Sequence, residues 1–481
     1  MTELNQLLEQ LSILRSNRKS PIASPSSLEI ARSILAEPTP VDGIGIKKLY
    51  DELVKLVPAT VDHSKNWYGF VTGGTTPAAR VADHVVTELD NSLSVHMPKE
   101  SIATEVEAQA LKMLLDLFDL DPKTFQGRLI TTGATASNLV ALACAREALF
   151  GSDLVRDVGV AEAQRRLNVE NIEILVCKCH SSLVKVATVL GFGRQSVVEV
   201  AHDERPWDFD VEKLQQILSA NNEKMERGLP YKLFIVAANF GEVNTGQYTT
   251  DLTQLRSLCD KYGAWLHIDG AFGMYLRILK GTNSEYAKEA EKLTSGLELA
   301  DSITGDGHKT LNVPYDCGFF FTRNLNVMAN VFENPGAAYL ATSANDIPSP
   351  LNIGVENSRR FRALPVYATL RAYGKNGYAE FMDRIISFSR RIATIIEGNP
   401  YYELIGKVDD IYTIVLFQAR NEVNRAGLKD KINNTRKLYV SGTSWNGSPA
   451  VRIAPCHWDL KLDEETELVK QVLVEISLAT T

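Results

Sequence analysis

Lys309 stands in the stretch Thr304-Gly-Asp-Gly-His-Lys-Thr-Leu-Asn-Val-Pro-Tyr-Asp-Cys-Gly318, flanked by glycines, a histidine and a short apolar run. A lysine taken out of water gives up its proton readily, and the free amine can form a Schiff base with a carbonyl. Three further stretches offer matching chemistry. Thr131-Thr-Gly-Ala-Thr-Ala-Ser-Asn138 follows an apolar run and opens an Ala-rich helical pattern. The unpaired N–H groups and dipole of a helix start attract an anion there, and Thr135 adds a hydroxyl. The Gly-Lys-Ser/Thr element of a P-loop is missing, and a plain N-cap is the competing reading. His180 ends another apolar run, where it either packs structurally or lays a flat imidazole on a planar ligand. Asp269, in His267-Ile-Asp-Gly-Ala271, also closes an apolar run. A carboxylate there needs a partner, either a helix cap, a salt bridge or a bound cation such as a protonated pyridine nitrogen. His267 and Asp269 lack a third ligand at metal-binding spacing, so no metal is expected.

An anion-binding helix start, a flat stacking group, a carboxylate and an amine, in that chain order, are the contacts that pyridoxal 5'-phosphate requires. The elements that must position them are legible as well. Apolar, β-branched runs near 128–131, 172–178, 196–201, 232–238, 264–268, 301–304 and 317–322 are mostly separated by helical segments. That alternation predicts a mostly parallel seven-stranded sheet covered by helices on both faces. Ligands of such sheets bind beyond the carboxyl ends of the strands, which is where these motifs lie. After about residue 365 long helical patterns precede short strands at 402–405 and 412–417 and a final helix at 463–478. The chain therefore divides into an N-terminal helical segment over 1–88, a large cofactor-binding domain over 89–365 and a smaller C-terminal α+β domain over 366–481.

The totals exclude several classes. The 481 residues exceed what one core normally holds. The formal charge is −8 without a long basic run, which argues against nucleic acid or an anionic membrane as partner. No apolar run approaches the roughly 20 residues of a spanning helix. The first residues are acidic and amphipathic, unlike a signal or transit peptide. Six cysteines without framework spacing read as reduced thiols of a cytoplasmic protein.

The sequence resembles the pyridoxal-phosphate-dependent group II amino-acid decarboxylases, which include aromatic L-amino-acid, tyrosine, histidine and glutamate decarboxylases. The likeness rests on Gly307–Gly318, Trp265–Ala271, Thr104-Glu-Val-Glu107, the turn at 131–138 and Ser358-Arg-Arg-Phe-Arg-Ala-Leu364. It implies the aspartate-aminotransferase-type fold, with Lys309 holding the cofactor as a Schiff base. It also implies Asp269 on the pyridinium nitrogen, Ala271 against one face of the ring and His180 on the other. Ala134 and Thr135 would bind phosphate, with Asp306 near it and His308 preceding the lysine. Tyr339, in Glu333-Asn-Pro-Gly-Ala-Ala-Tyr-Leu340, matches a loop tyrosine that protonates the substrate carbon after carbon dioxide leaves. The other reading of Tyr339 is an ordinary turn residue.

The resemblance further implies a homodimer with active sites at the subunit interface. Decarboxylation of an L-amino acid is the reading it favours. The alternative is a pyridoxal-phosphate enzyme of other outcome: an aldehyde synthase, a carbon–carbon lyase or an aminotransferase. Trp67, Tyr68, Phe70 and Thr72 are candidates for an aromatic substrate pocket, or else for packing. Thr310 in place of the usual tryptophan, Gly270 in place of alanine, and Glu242 in Asn239-Phe-Gly-Glu-Val-Asn-Thr245 depart from the family pattern. Glu242 reads as a solvated loop charge or a substrate contact, and Arg452 as a C-terminal arginine able to reach a site.

Overall fold

The protein is described by a computed structural model covering residues 3–35, 39–151, 153–334 and 347–479. Among the described residues fourteen strands run in chain order. They are β1 (Trp67–Tyr68), β2 (Ser92–Leu93), β3 (Gly127–Thr131), β4 (Val169–Val176), β5 (Val197–Glu199), β6 (Tyr231–Asn239) and β7 (Trp265–Asp269). The rest are β8 (Ser302–Asp306), β9 (Gly318–Thr322), β10 (Arg359–Arg360), β11 (Tyr402–Leu404), β12 (Val415–Ala419), β13 (Tyr439–Trp445) and β14 (Ser448–Ile453).

Two compact units form. The larger comprises Thr75–Ile386 with Asp410–Thr413. Its sheet has seven strands in the order β3-β9-β8-β7-β6-β4-β5. Pairing is parallel from β8 through β5, and β9 runs antiparallel to both β8 and β3. This is the expected α/β fold, and each of the seven apolar runs became one of its strands. Strands covered on both faces must be apolar on both, so β7, β8 and β9 are buried at every position. The helix Ala134–Phe150 lies against the sheet and contributes Leu142 and Ala145 to one core cluster and Val140, Ala141 and Cys144 to another. Two motifs quoted above also meet here. Arg359 on β10 and Glu107 on the helix Ala103–Leu117 form a buried, two-pronged ion pair, with Nη1 to Oε2 at 2.6 Å. A guanidinium and a carboxylate can share such a site only because each satisfies the other's charge and geometry.

The second unit is Met1–Gly74, Ser387–Asp409 and Ile414–Thr481. The N-terminal segment thus joins the C-terminal part of the chain. The reason is β1, which lies parallel to β13 with Trp67 opposite Tyr439 and Tyr68 opposite Val440. The units divide at 74/75 and 386/387, where the sequence pattern had pointed to 88/89 and 365/366. Two strands beyond the expected pair, β13 and β14, form a hairpin around Asn446-Gly447. Both residues have positive φ, 48° and 77°, as a two-residue primed turn requires. Asn-Gly is the turn signal that marks this hairpin in the sequence. On the closing helix Leu462–Leu478 the buried residues Glu465, Val469, Val472, Leu473 and Ile476 make one stripe. Glu465 is tolerated there because Tyr68 Oη donates to it at 2.6 Å and Lys461 N–H at 2.9 Å, with His457 Nε2 at 3.3 Å. Burial opposes its ionisation, but these partners, His457 foremost, hold its pKa below the usual value.

Among the described residues no helix is long and apolar enough to cross a membrane. All six cysteines are free thiols.

Candidate active site

The lysine loop spans residues 307–317 and joins β8 to β9. It is closed by its own backbone: Gly307 N–H and His308 N–H both donate to Cys317 O, at 2.9 and 3.0 Å. Asn312, in the left-handed region at φ 56°, donates its N–H to Lys309 O at 3.0 Å and its Nδ2 to Thr310 O at 2.7 Å. This turn holds the Lys309 stem half-buried, with 20 % of its side chain exposed and Nζ 3.5 Å from Asp306 Oδ2. Nζ also lies 5.6 Å from the centroid of the Phe272 ring. His308 Nδ1 accepts from Cys317 N–H at 3.2 Å, and the imidazole stacks on Tyr315 at 3.9 Å. Its Nε2 is 3.1 Å from Asp306 Oδ1 but out of line for a hydrogen bond, so that buried oxygen has no hydrogen-bond partner. Thr304 Oγ1, one alternation earlier on β8, is likewise buried and unpartnered.

The helix Ala134–Phe150 starts from Gly133, and no side chain caps it. Its first N–H groups are therefore available to an anion, with Ala134 half-buried and Thr135 exposed. The turn lies close to the lysine loop. A Cβ on Gly133 would sit 3.0 Å from His308 Cε1, and one on Gly318 would sit 2.5 Å from the Gly133 backbone. Glycine at both places is what lets strand β9 and the turn approach so closely.

Asp269, at the carboxyl end of β7, is 8 % exposed. Its Oδ2 accepts from Asn138 Nδ2 at 2.9 Å and its Oδ1 from Ala271 N–H at 3.2 Å. Among the described residues no lysine, arginine or histidine pairs with it, so this buried carboxylate has neutral donors and no counter-cation. His180 lies at the carboxyl end of β4, exposed, with Nδ1 2.8 Å from Ser182 Oγ. Ser182 N–H donates to the same nitrogen at 3.2 Å, so His180 caps the helix Ser181–Val189. Ser182 Oγ in turn lies 3.4 Å from Asn138 Nδ2.

The sequence reading missed Asn138, Ser182 and Ser302, and weighed His267 only as a metal ligand. His267 is fully buried, with Nε2 3.0 Å from Asn138 Oδ1 and Nδ1 2.9 Å from Ser302 Oγ. Alternation along β7 puts His267 and Asp269 on one face, a signal that could have linked them. Burial pushes the His267 pKa down to about 4, against the pull of Asp269. Below pH 6.5 the unfolded chain binds a proton there that the folded chain refuses until about pH 4. Stability therefore falls as pH drops through that window, by about 3 kcal/mol from this group. His267→Gln is expected to flatten this part of the stability curve in urea melts at pH 4.5 and 7. An equal pH dependence in both proteins would refute the assignment.

The remaining sequence candidates are placed as follows. Trp67 is buried and stacks on Tyr439 at 4.1 Å. Tyr68 is fully buried, its hydroxyl on Glu465. Thr72 is buried, donating to Gly69 O at 3.1 Å. Phe70 is 55 % exposed, beside Trp67 and Tyr439. Phe70 and Val71 both have positive φ, 61° and 56°. All four belong to the smaller unit. Arg452 is buried on β14, with Nε 3.3 Å from Ser441 Oγ. Glu242 is not a solvated charge: it is buried and accepts from Thr245 N–H, Thr245 Oγ1 and Asn244 Nδ2 within its own turn. Gly270 is explained by packing, since a Cβ there would meet Met274 Cβ at 3.0 Å and Thr304 O at 3.2 Å. Thr310 is buried. Tyr339 lies outside the described residues.

The donor set fits pyridoxal phosphate. An uncapped helix start suits its phosphate, and a buried carboxylate lacking a cation suits its protonated ring nitrogen. A lysine amine lies in the loop between the neighbouring strands. The fold is shared with the solved structure of Oryza sativa TDC with PLP and tryptamine, at TM-score 0.80 and 21 % identity over 98 % of this chain and 96 % of that one. Among curated proteins, the chain is 25 % identical to the aromatic-L-amino-acid decarboxylase of Bacillus atrophaeus over 89 % of this chain and 83 % of the relative. It is 26 % identical to the L-2,4-diaminobutyrate decarboxylase of Acinetobacter baumannii, over 73 % and 68 %. Fold and site thus define a pyridoxal-phosphate enzyme. More narrowly, the model of the pyridoxal-dependent decarboxylase conserved domain matches residues 34–420, and the chain belongs to that family. It is a pyridoxal-phosphate-dependent amino-acid decarboxylase.

Proposed function

We propose that the protein converts an aromatic L-amino acid to its amine and carbon dioxide, with the cofactor held covalently through Lys309 Nζ. The observation that carries this reading is the Asp269 carboxylate, buried at a strand end with no paired cation among the described residues. When bound, the cofactor supplies an electron sink for the pair released as carbon dioxide departs. Asp269 holds a proton at the cofactor's ring nitrogen, where a close ion pair is worth about 1–3 pKa units. The N–H groups at the start of the helix Ala134–Phe150, with Thr135, hold the phosphate. Ala271 and His180 would hold the ring, and His180 would orient the substrate. Asp306 and His308 set the position of the Lys309 side chain. Tyr339 delivers a proton to Cα.

Of Trp67, Tyr68, Phe70 and Thr72, Phe70 is the one with an exposed ring, on a residue held in the left-handed region, and it is the residue that favours an aromatic substrate. Trp67, Tyr68 and Thr72 are buried in packing contacts. The active species is a homodimer with active sites at the subunit interface, acting in the cytoplasm. Incubation of the holoenzyme with each of the twenty amino acids, followed by mass spectrometry, tests this. Tyramine, tryptamine or phenethylamine is expected as the leading product. A keto acid as leading product would overturn decarboxylation, and a leading non-aromatic amine would overturn the substrate class.

For Tyr339→Phe, amine yield is expected to fall at least about 10-fold, the typical worth of one positioned acid being 10²–10⁴-fold. Aldehyde, ammonia and peroxide are expected to appear under air. An unchanged product ratio would show that the proton comes from elsewhere.

A further inference from the structure

We infer that Asn138 is a positioning residue, one amide that sets both the Asp269 carboxylate and the His180 ring. The inference deepens the decarboxylase reading above and rests on it. An asparagine amide can be placed either way round, and here its neighbours decide. The Asp269 carboxylate can only accept, so the group 2.9 Å from it must be the Asn138 NH₂. Asn138 Oδ1 then needs a donor, which is His267 Nε2–H at 3.0 Å.

With that nitrogen protonated and the ring neutral, His267 Nδ1 accepts, and Ser302 Oγ–H donates to it at 2.9 Å. Ser302 Oγ itself receives Trp265 Nε1–H at 2.8 Å. An indole can only donate and a carboxylate can only accept, so the chain from Trp265 to Asp269 has a single direction. Its low pKa keeps His267 neutral at physiological pH. On the other side Ser182 Oγ, 3.4 Å from Asn138 Nδ2, turns its hydrogen to His180 Nδ1. That leaves the proton of a neutral His180 on Nε2.

The physical gain is orientation without neutralisation. A lysine or imidazolium in place of Asn138 would compete for the carboxylate's charge. An amide fixes the carboxylate's plane and leaves the full charge for the cofactor's ring nitrogen. Asn138 is completely buried, so water does not substitute for it.

The test uses full-length protein labelled with ¹⁵N-histidine, with and without cofactor, and long-range proton–nitrogen spectra. His267→Gln and His180→Gln supply the assignments. The His267 ring is expected as the neutral Nε2–H tautomer near neutral pH, and a neutral His180 ring as the Nε2–H tautomer as well. His267 found as Nδ1–H or as imidazolium would overturn the inference. In steady-state kinetics Asn138→Ala is expected to lower kcat about 10- to 100-fold with KM changed less than about 3-fold. A folded Asn138→Ala protein with kcat within about 2-fold of wild type would also overturn it. If that variant does not fold, Ser302→Ala breaks the same chain two links away and is expected to lower kcat about 3- to 10-fold; an unchanged kcat would count against the relay. Failure of the proposed function reads differently. A wild-type protein that makes no amine while showing both Nε2–H tautomers loses the reaction but keeps the relay.

Discussion

Lys309→Ala is expected to abolish the visible absorption of the holoenzyme and to lower turnover on the order of 10⁴-fold or more, the usual cost of removing a covalent catalyst. Lys309 carries the one primary amine in the 307–317 loop, and a primary amine is what condenses with a carbonyl to a Schiff base. Nζ pairs at 3.5 Å with Asp306, whose side chain is buried. Removing it takes a partner from a buried side chain, at a cost on the order of 1–3 kcal/mol. Thermal unfolding of the cofactor-free variant is therefore expected below that of cofactor-free wild type, with the fold retained. A variant that keeps the visible band would show that another residue holds the cofactor. A variant that simply unfolds would show that the loop, rather than the chemistry, depends on the lysine.

Asp269→Asn is expected to separate binding from turnover. Asparagine keeps the size of the side chain but only one of the two accepting oxygens, so one of the contacts from Asn138 Nδ2 and Ala271 N–H is lost. The larger loss is the negative charge. A carboxylate beside a cation shifts its pKa by about 1–3 units, so its loss is expected to lower kcat about 10- to 1,000-fold. On the proposed reading cofactor affinity should fall far less, because the phosphate site proposed at the start of the helix Ala134–Phe150 and the proposed link to Lys309 are untouched by the substitution. Equilibrium dialysis of the cofactor, measured beside kcat, is the deciding comparison. Equal losses in both would mean that Asp269 is a binding contact and no electronic partner.

The positions of these two residues were readable before any fold was known. Seven apolar runs alternating with helical segments can be satisfied by little else than a covered parallel sheet. Motifs written just after such runs must then gather at one edge of it. The N-terminal segment was less readable. Its helical patterns near 28–36 and 46–57 are evident in the sequence, but β1 is two residues long, and its partner β13 lies more than 370 residues away. Local periodicity carries no information at that separation. The β13–β14 hairpin was readable in principle from Asn446-Gly447, though Pro449 and the polar run around it mask the strand pattern. Glu242 shows the opposite error: a loop carboxylate looks solvated in sequence, and only the turn that folds around it reveals its burial.

By itself the sequence determined the cofactor chemistry and the class of fold, because both rest on residue types at strand ends and on the periodicity of neighbouring residues. The tertiary structure alone decided what surrounds each candidate group. Asn138, His180, Ser182, His267, Asp269 and Ser302 come from β7, β8, two helices and the turn that follows β4. Their hydrogen bonds depend on strand register and on the choice of donor and acceptor at each atom. Those are properties of distance and angle, which a linear order of residues does not contain.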